Sequence, residues 1–186
     1  MRAQASALFL GAAITVSAAV LAFATPMGGE VPAAQAQAAP EFKDIDTWIN
    51  SPPLRIDQLR GKVVLVDFWT YGCINCLNHL PYLQEWDAKY KDRGLVVVGV
   101  HTPEFAYEKS EKNVRDAVQR LKIKHAVAQD NSFSTWKAFQ NQYWPAVYLI
   151  DKQGRVVYSH FGEGSYGTTE KKIQALLAEQ PGQALR

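Results

Sequence analysis

Apolar positions in this chain fall into two patterns. Val63 to Phe68 and Leu95 to Val100 are nearly continuous apolar runs of strand length, as in strands covered on both faces of a parallel sheet. His125 to Gln129 and Ala146 to Ile150 read as two further strands. Asp151-Lys152-Gln153-Gly154 is a hairpin turn, with Arg155 to Phe161 as the returning strand. Between the strands the spacing turns helical. One helix is predicted from near Cys73 through Leu77, Leu80, Leu83, Trp86 and Tyr90 to a C-cap at Gly94, with Pro81 expected to kink it. A charged amphipathic helix carries Val114, Val118 and Leu121 on its inner face. A third helix turns Phe133, Trp136, Phe139 and Tyr143 inward. The last helix, capped by Thr168 or Thr169, presents Ile173, Leu176 and Leu177. Leu54 to Ile56 reads as a short strand in the otherwise irregular stretch from Phe42 to Leu59. The order strand–helix–strand–helix–strand–helix–hairpin–helix predicts an α/β domain with a parallel core and an antiparallel edge.

The first 40 residues fit no such pattern. Met1-Arg2 precedes an uncharged, Ala-rich run from Ala5 to Thr25, the design of an export signal, with Ala22-Phe23-Ala24 as a candidate cleavage site. The run is also nearly long enough to remain as a membrane anchor. The boundaries expected are therefore 1–24 for a signal peptide or anchor, 25–40 for a flexible linker rich in Pro, Gly, Ala and Gln, and 41–186 for one folded domain. Composition adds little to this. At 186 residues with 47% hydrophobic and 20% charged residues the chain is an ordinary globular protein. A net charge of +2 without a Lys/Arg cluster gives no footing for nucleic acid or an anionic membrane surface.

The candidate chemistry sits where the first buried strand hands over to a helix. Cys73-Ile74-Asn75-Cys76 follows the turn Trp69-Thr70-Tyr71-Gly72, so the first cysteine stands at a helix start. Unpaired N–H groups there carry partial positive charge and favour thiolate, the species that attacks disulfides. Cys73 is read as the exposed nucleophile and Cys76, one turn further in, as the resolving thiol. Haem attachment would need His directly after the second cysteine, where this chain has Leu77. A structural zinc site needs four ligands, and His79, His101, His125 and His160 show no paired spacing with the only two cysteines. A purely structural bridge over two residues would constrain the unfolded chain very little. No metal or other cofactor is expected beyond a redox-active Cys73–Cys76 disulfide. Asp67 interrupts the buried strand, where desolvation lifts a carboxyl group toward the range of a general base. An alternative role is a carboxylate capping nearby backbone.

The segments VVLVDFWTYGCINC, VVVGVHTPEF, YWPAVYLID and FGEGSY, with Pro81 eight residues after Cys73, together resemble the thioredoxin superfamily, most closely the exported TlpA-like and DipZ-type thiol-disulfide oxidoreductases. The resemblance covers about Phe42 to Glu179. It implies a thioredoxin-like three-layer fold, a central mixed sheet with helices on both faces, with a TlpA-type helix–strand insertion between Pro103 and Gln129. By position it makes Cys73 the attacking and Cys76 the resolving cysteine, Asp67 the buried proton acceptor, and Pro145 the family's cis-proline. Trp144, Pro145, Tyr71, Ile74 and Asn75 become expected substrate contacts. His79, where some relatives carry an acid, and Glu104 in the His-Thr-Pro-Glu loop are candidate proton shuttles, each set against the plainer reading of a surface residue. Ile74-Asn75 stands where thioredoxin has Gly-Pro, so neither potential nor partner choice carries over.

The resemblance further implies a periplasmic or otherwise extracytoplasmic, monomeric dithiol reductase. Its partners would be protein disulfides or thiols, apocytochrome cysteines of cytochrome c maturation among them, and a membrane electron donor of the DsbD/CcdA type. An oxidase or isomerase would use the same residues in reverse. A thiol peroxidase is favoured by Thr70 three residues before Cys73 and disfavoured by Val66 where a proline belongs. A non-catalytic thiol-binding module is the remaining class.

Overall fold

The computed structural model describes residues 29–30 and 36–179, so the expected leader at 1–24 lies outside the described residues. In chain order the elements are β1 (Gly29–Glu30), β2 (Gln37–Ala38), β3 (Thr47–Ile49), β4 (Val63–Trp69), α1 (Ile74–Tyr90), β5 (Leu95–His101), α2 (Glu111–Arg120), β6 (Ala126–Gln129), α3 (Ser134–Ala138), β7 (Ala146–Ile150), β8 (Arg155–Phe161) and α4 (Tyr166–Ala178). They build one mixed sheet in the order β1-β8-β7-β4-β5-β6-β3, with β2 also paired to β8. β4, β5 and β6 run parallel, whereas β7, β8 and β3 each pair antiparallel with their neighbours. The core of the sheet is parallel as expected, but both edges are antiparallel.

All seven residues of β4 are buried, and their side chains alternate between two apolar layers. Val63, Leu65 and Trp69 face a layer filled by Leu80, Leu83, Trp86 and Tyr90 of α1, Val114 and Val118 of α2, and Ile173 and Leu176 of α4. Val64, Val66 and Phe68 face the other layer, closed by Trp136 of α3 with Phe139. This is the thioredoxin-like three-layer arrangement, and α2 with β6 forms the helix–strand insertion.

Several local expectations are corrected. Leu54 to Ile56 is not a strand; a 3₁₀ turn over Ile56–Leu59 takes its place, and the strand of this stretch is β3, paired to β6. The sheet also reaches into the expected linker, since Gln37 pairs with Val156 and Ala38 with Arg155. α1, with Pro81 inside it, ends at Tyr90 short of Gly94, and a 3₁₀ turn at Lys91–Arg93 leads to Gly94 at φ 103°. α3 stops at Ala138, and Gln140 turns the chain at φ 53°, which leaves Tyr143 exposed rather than inward. The last helix begins at Tyr166 after Ser165 in the left-handed region, with no side-chain cap. Thr169 is instead buried, its hydroxyl 3.1 Å from the Tyr158 hydroxyl.

Gly99 faces Asp67 across the β4–β5 ladder and leaves room for two larger neighbours. A Cβ there would lie 2.9 Å from Trp69 Nε1 and 3.3 Å from His125 Nε2. Overpacking of this kind costs about 1–3 kcal/mol. Gly99→Ala should therefore lower the urea midpoint by that equivalent without changing the slope, and an unchanged midpoint would show that the neighbours yield freely.

Candidate active site

β4 ends at Trp69, and the buried Thr70, then Tyr71 and Gly72, carry the chain to Cys73 at the N-cap of α1. Cys73 holds the extended backbone of a cap (φ −85°, ψ 114°), and its Sγ accepts the Cys76 N–H at 3.3 Å. One of the helix's unpaired donors thus points at the first sulfur. Cys73 is half-buried, Cys76 is 3% exposed, and both are free thiols. Burial pushes the Cys76 thiol well above its ordinary value, helped by the Cys73 contact and, once Asp67 is ionised, by its charge. The two sulfurs are chemically unequal: one is reachable from solvent, while the other needs a base to lose its proton.

Asp67 is 2% exposed, and its Oδ1 has no hydrogen-bond partner. Burial alone raises its pKa to about 8. His79, on the buried face of α1, places Nε2 3.8 Å from that oxygen. This distance lies within ion-pair range, yet burial, with a smaller contribution from His160, lowers the His79 pKa to about 4. Between those two values the pair is a neutral carboxylic acid facing a neutral imidazole, and we read it so because neither group gains from the other's charge. His79 is thus no surface residue. It packs against Tyr166 (centroids 5.5 Å) and Trp86 (6.3 Å), and neither ring nitrogen is hydrogen-bonded.

The Trp144–Pro145 peptide bond is cis, and Trp144 Nε1 donates to the Thr102 carbonyl at 3.1 Å. Tyr71 stacks on His101 (5.4 Å, 20°) and donates its hydroxyl to the Tyr107 carbonyl. Ile74 and Asn75 both face solvent between the cysteines. Glu104 is exposed and offers only its main-chain N–H, to Glu108. The acid of this loop that reaches the cysteine turn is Glu108, which is fully buried and accepts the Gly72 N–H at 3.0 Å. Sequence reasoning missed Glu108 because its partner lies 36 residues away. The only local signal was an acid placed three residues after Phe105, able to reach back to that residue's N–H, one half of a capping box.

Comparison with known proteins agrees with this geometry. The Redoxin family matches residues 34–177. Protein DipZ of Mycobacterium bovis is 48% identical over 148 residues, covering 77% of this chain but 21% of its own length. The chain therefore spans about a fifth of that relative. The thiol-disulfide oxidoreductase YkuV of Bacillus subtilis is 29% identical, covering 77% of this chain and 96% of its own. Among solved structures, a thiol-disulfide isomerase from Corynebacterium glutamicum superposes with a TM-score of 0.68 at 26% identity, covering 76% of this chain and 98% of its own. With a matching family model over most of its length and the thioredoxin-like layers around a paired cysteine turn, the chain belongs to the Redoxin family.

Proposed function

We propose that the chain is an extracytoplasmic dithiol reductase of protein disulfides, working through Cys73 and Cys76. The observation that carries this reading is the inequality of the two sulfurs: Cys73 half-exposed at a helix start with an N–H on its Sγ, Cys76 buried above Asp67. Cys73 as thiolate attacks one sulfur of the substrate disulfide, and the other substrate sulfur leaves and takes up a proton. In the resulting mixed disulfide Cys76 gives its proton to Asp67 and attacks Cys73 Sγ. The second substrate thiol departs, and two electrons have passed to the substrate, leaving a Cys73–Cys76 disulfide. A carboxyl with a pKa near 8 is well matched to that proton, and a base of this kind contributes about 10²–10⁴ in rate. His79 stands next to Asp67 to pass the proton on.

Trp144, Pro145, Tyr71, Ile74 and Asn75 are the proposed substrate contacts. The N-terminal pattern supports export, and outside the cytoplasm a dithiol persists only if electrons are resupplied. A membrane donor of the DsbD/CcdA type fits that need. Among the described residues no helix is long and apolar enough to cross a membrane. The reduction potential decides direction: a value near about −270 mV supports the reductase, and one near about −120 mV makes the protein an oxidant.

Cys76→Ser should accumulate a mixed disulfide through Cys73 that thiols release, while Cys73→Ser should form none and lose insulin reduction. A trapped adduct on Cys76 in Cys73→Ser would reverse the assignment. For Asp67→Asn, release of reduced substrate should slow about 10²-fold at pH 7 and lose the rise through about pH 8 expected of the unmodified protein. Stability should move the other way. The folded-state pKa of Asp67 lies above its unfolded value near 3.8, so its contribution is fully present below that value and lost as pH rises through about 8. Asp67→Asn should consequently gain more stability over the unmodified protein at pH 8.5 than at pH 4, as read by urea unfolding at both. An equal effect at both pH values would mean the carboxyl is ordinary.

A further inference from the structure

The loop between β5 and α2 presents a surface that sulfur exchange alone does not require. Phe105 and Tyr107 are 47% and 55% exposed, and their rings lie parallel (3°) with centroids 5.6 Å apart. Tyr107 stands directly beside the nucleophile's turn. Its ring centroid is 6.2 Å from that of Tyr71, its carbonyl accepts the Tyr71 hydroxyl, and its own hydroxyl lies 3.3 Å from where a Cβ on Gly72 would sit. Gly72 immediately precedes Cys73, so Tyr107 flanks the nucleophile's turn and Phe105 stacks on its far side. Ile74, 66% exposed, adds an apolar side chain between the two cysteines.

Glu108 ties these parts together. Its buried carboxylate accepts the Gly72 N–H through Oε1, and the Glu104 and Phe105 N–H groups through Oε2 at 2.7 and 2.9 Å. One oxygen holds the cysteine turn and the other holds the base of the aromatic pair. A Cβ at Gly72 would fall 2.4 Å from Oε1, so glycine is what permits the approach.

We propose that Phe105 and Tyr107 form a specificity ledge that binds an apolar or aromatic side chain flanking the target disulfide of an extended polypeptide, with Glu108 as the positioning residue that fixes the ledge to Cys73. The proposal rests on the exchange reaction described above. Exposed aromatic faces take up such a side chain by stacking and release of water. Oxidised glutathione, small and charged, offers nothing to fill them.

The test compares kcat/KM for oxidised glutathione and for two model peptide disulfides that differ only in Phe or Ser beside the cysteine. Phe105→Ala with Tyr107→Ala alters exposed side chains only. This double variant should lose tenfold or more on the Phe peptide, through KM, and stay within twofold on the Ser peptide and on glutathione. Equal losses on all three substrates, or no loss on any, would overturn the ledge. If the unmodified protein reduces none of the three, the exchange reading itself fails; if it reduces them and the variant discriminates as before, only the ledge fails. Glu108→Gln replaces one accepting oxygen by a donor and should erase the Phe-over-Ser preference in the folded protein. A preserved preference removes Glu108 from the proposal. Should that variant not fold, hydrogen exchange at the Gly72 amide of the unmodified protein decides: protection supports the Glu108 bond, and exchange at an open-loop rate removes it.

Discussion

The placement of both sulfurs depends on the pairing of β4. It is hydrogen-bonded to β5 along all seven residues and to β7 along five, so its end cannot drift relative to the sheet. The chain leaves at Trp69 in a fixed direction, and four residues later α1 must begin, packed against the layer that holds Leu80, Leu83 and Trp86. The first cysteine then falls at the cap, where a backbone N–H faces its sulfur, and the second falls one turn inside, out of water. The position follows from packing. The reactivity follows from the position.

The same rigidity explains the carboxyl beneath the cysteines. Asp67 is the one acid in a strand otherwise filled by Val, Leu, Phe and Trp, and alternation turns it toward α1. A charge there would stand in a low-dielectric layer with an unprotonated imidazole 3.8 Å away. Holding the proton is the cheaper state until about pH 8, and a group poised at that balance can accept one from a neighbouring thiol. A fully hydrogen-bonded carboxylate in the same place would stabilise the fold more and accept protons poorly.

Much of this was legible in the sequence because the governing signals are local. The apolar runs of β4 and β5, the cysteine spacing at a strand-to-helix change, and an acid inside a buried run all lie within a few residues. The parts that were not legible depend on distance or on very short elements. Three residues, Thr47–Ile49, are too few to show alternation, and what makes them a strand is the edge of β6. His79 shares the inner-face spacing of Leu83 and Trp86, four and seven residues on, but its polarity suggested a surface role; packing against Tyr166 and Trp86 buries it. Glu104 drew attention as the acid nearest the His-Thr-Pro turn, but the 3₁₀ turn at Ala106–Lys109 swings the next acid, Glu108, inward instead. Tyr143 kept the apolar spacing of α3 after the helix itself had ended.

The strands Gly29–Glu30 and Gln37–Ala38 lie along the outside of β8, whose inner side is taken by β7. An unpaired strand flank is an invitation to foreign backbone. Here the chain's own early residues fill it, and at the far side of the sheet β3 is only three residues long. Another polypeptide seeking to lengthen the sheet would first have to peel away this native selvedge. Open association through main-chain ladders is thereby discouraged, and a visitor is left with the exposed sulfur as its point of entry.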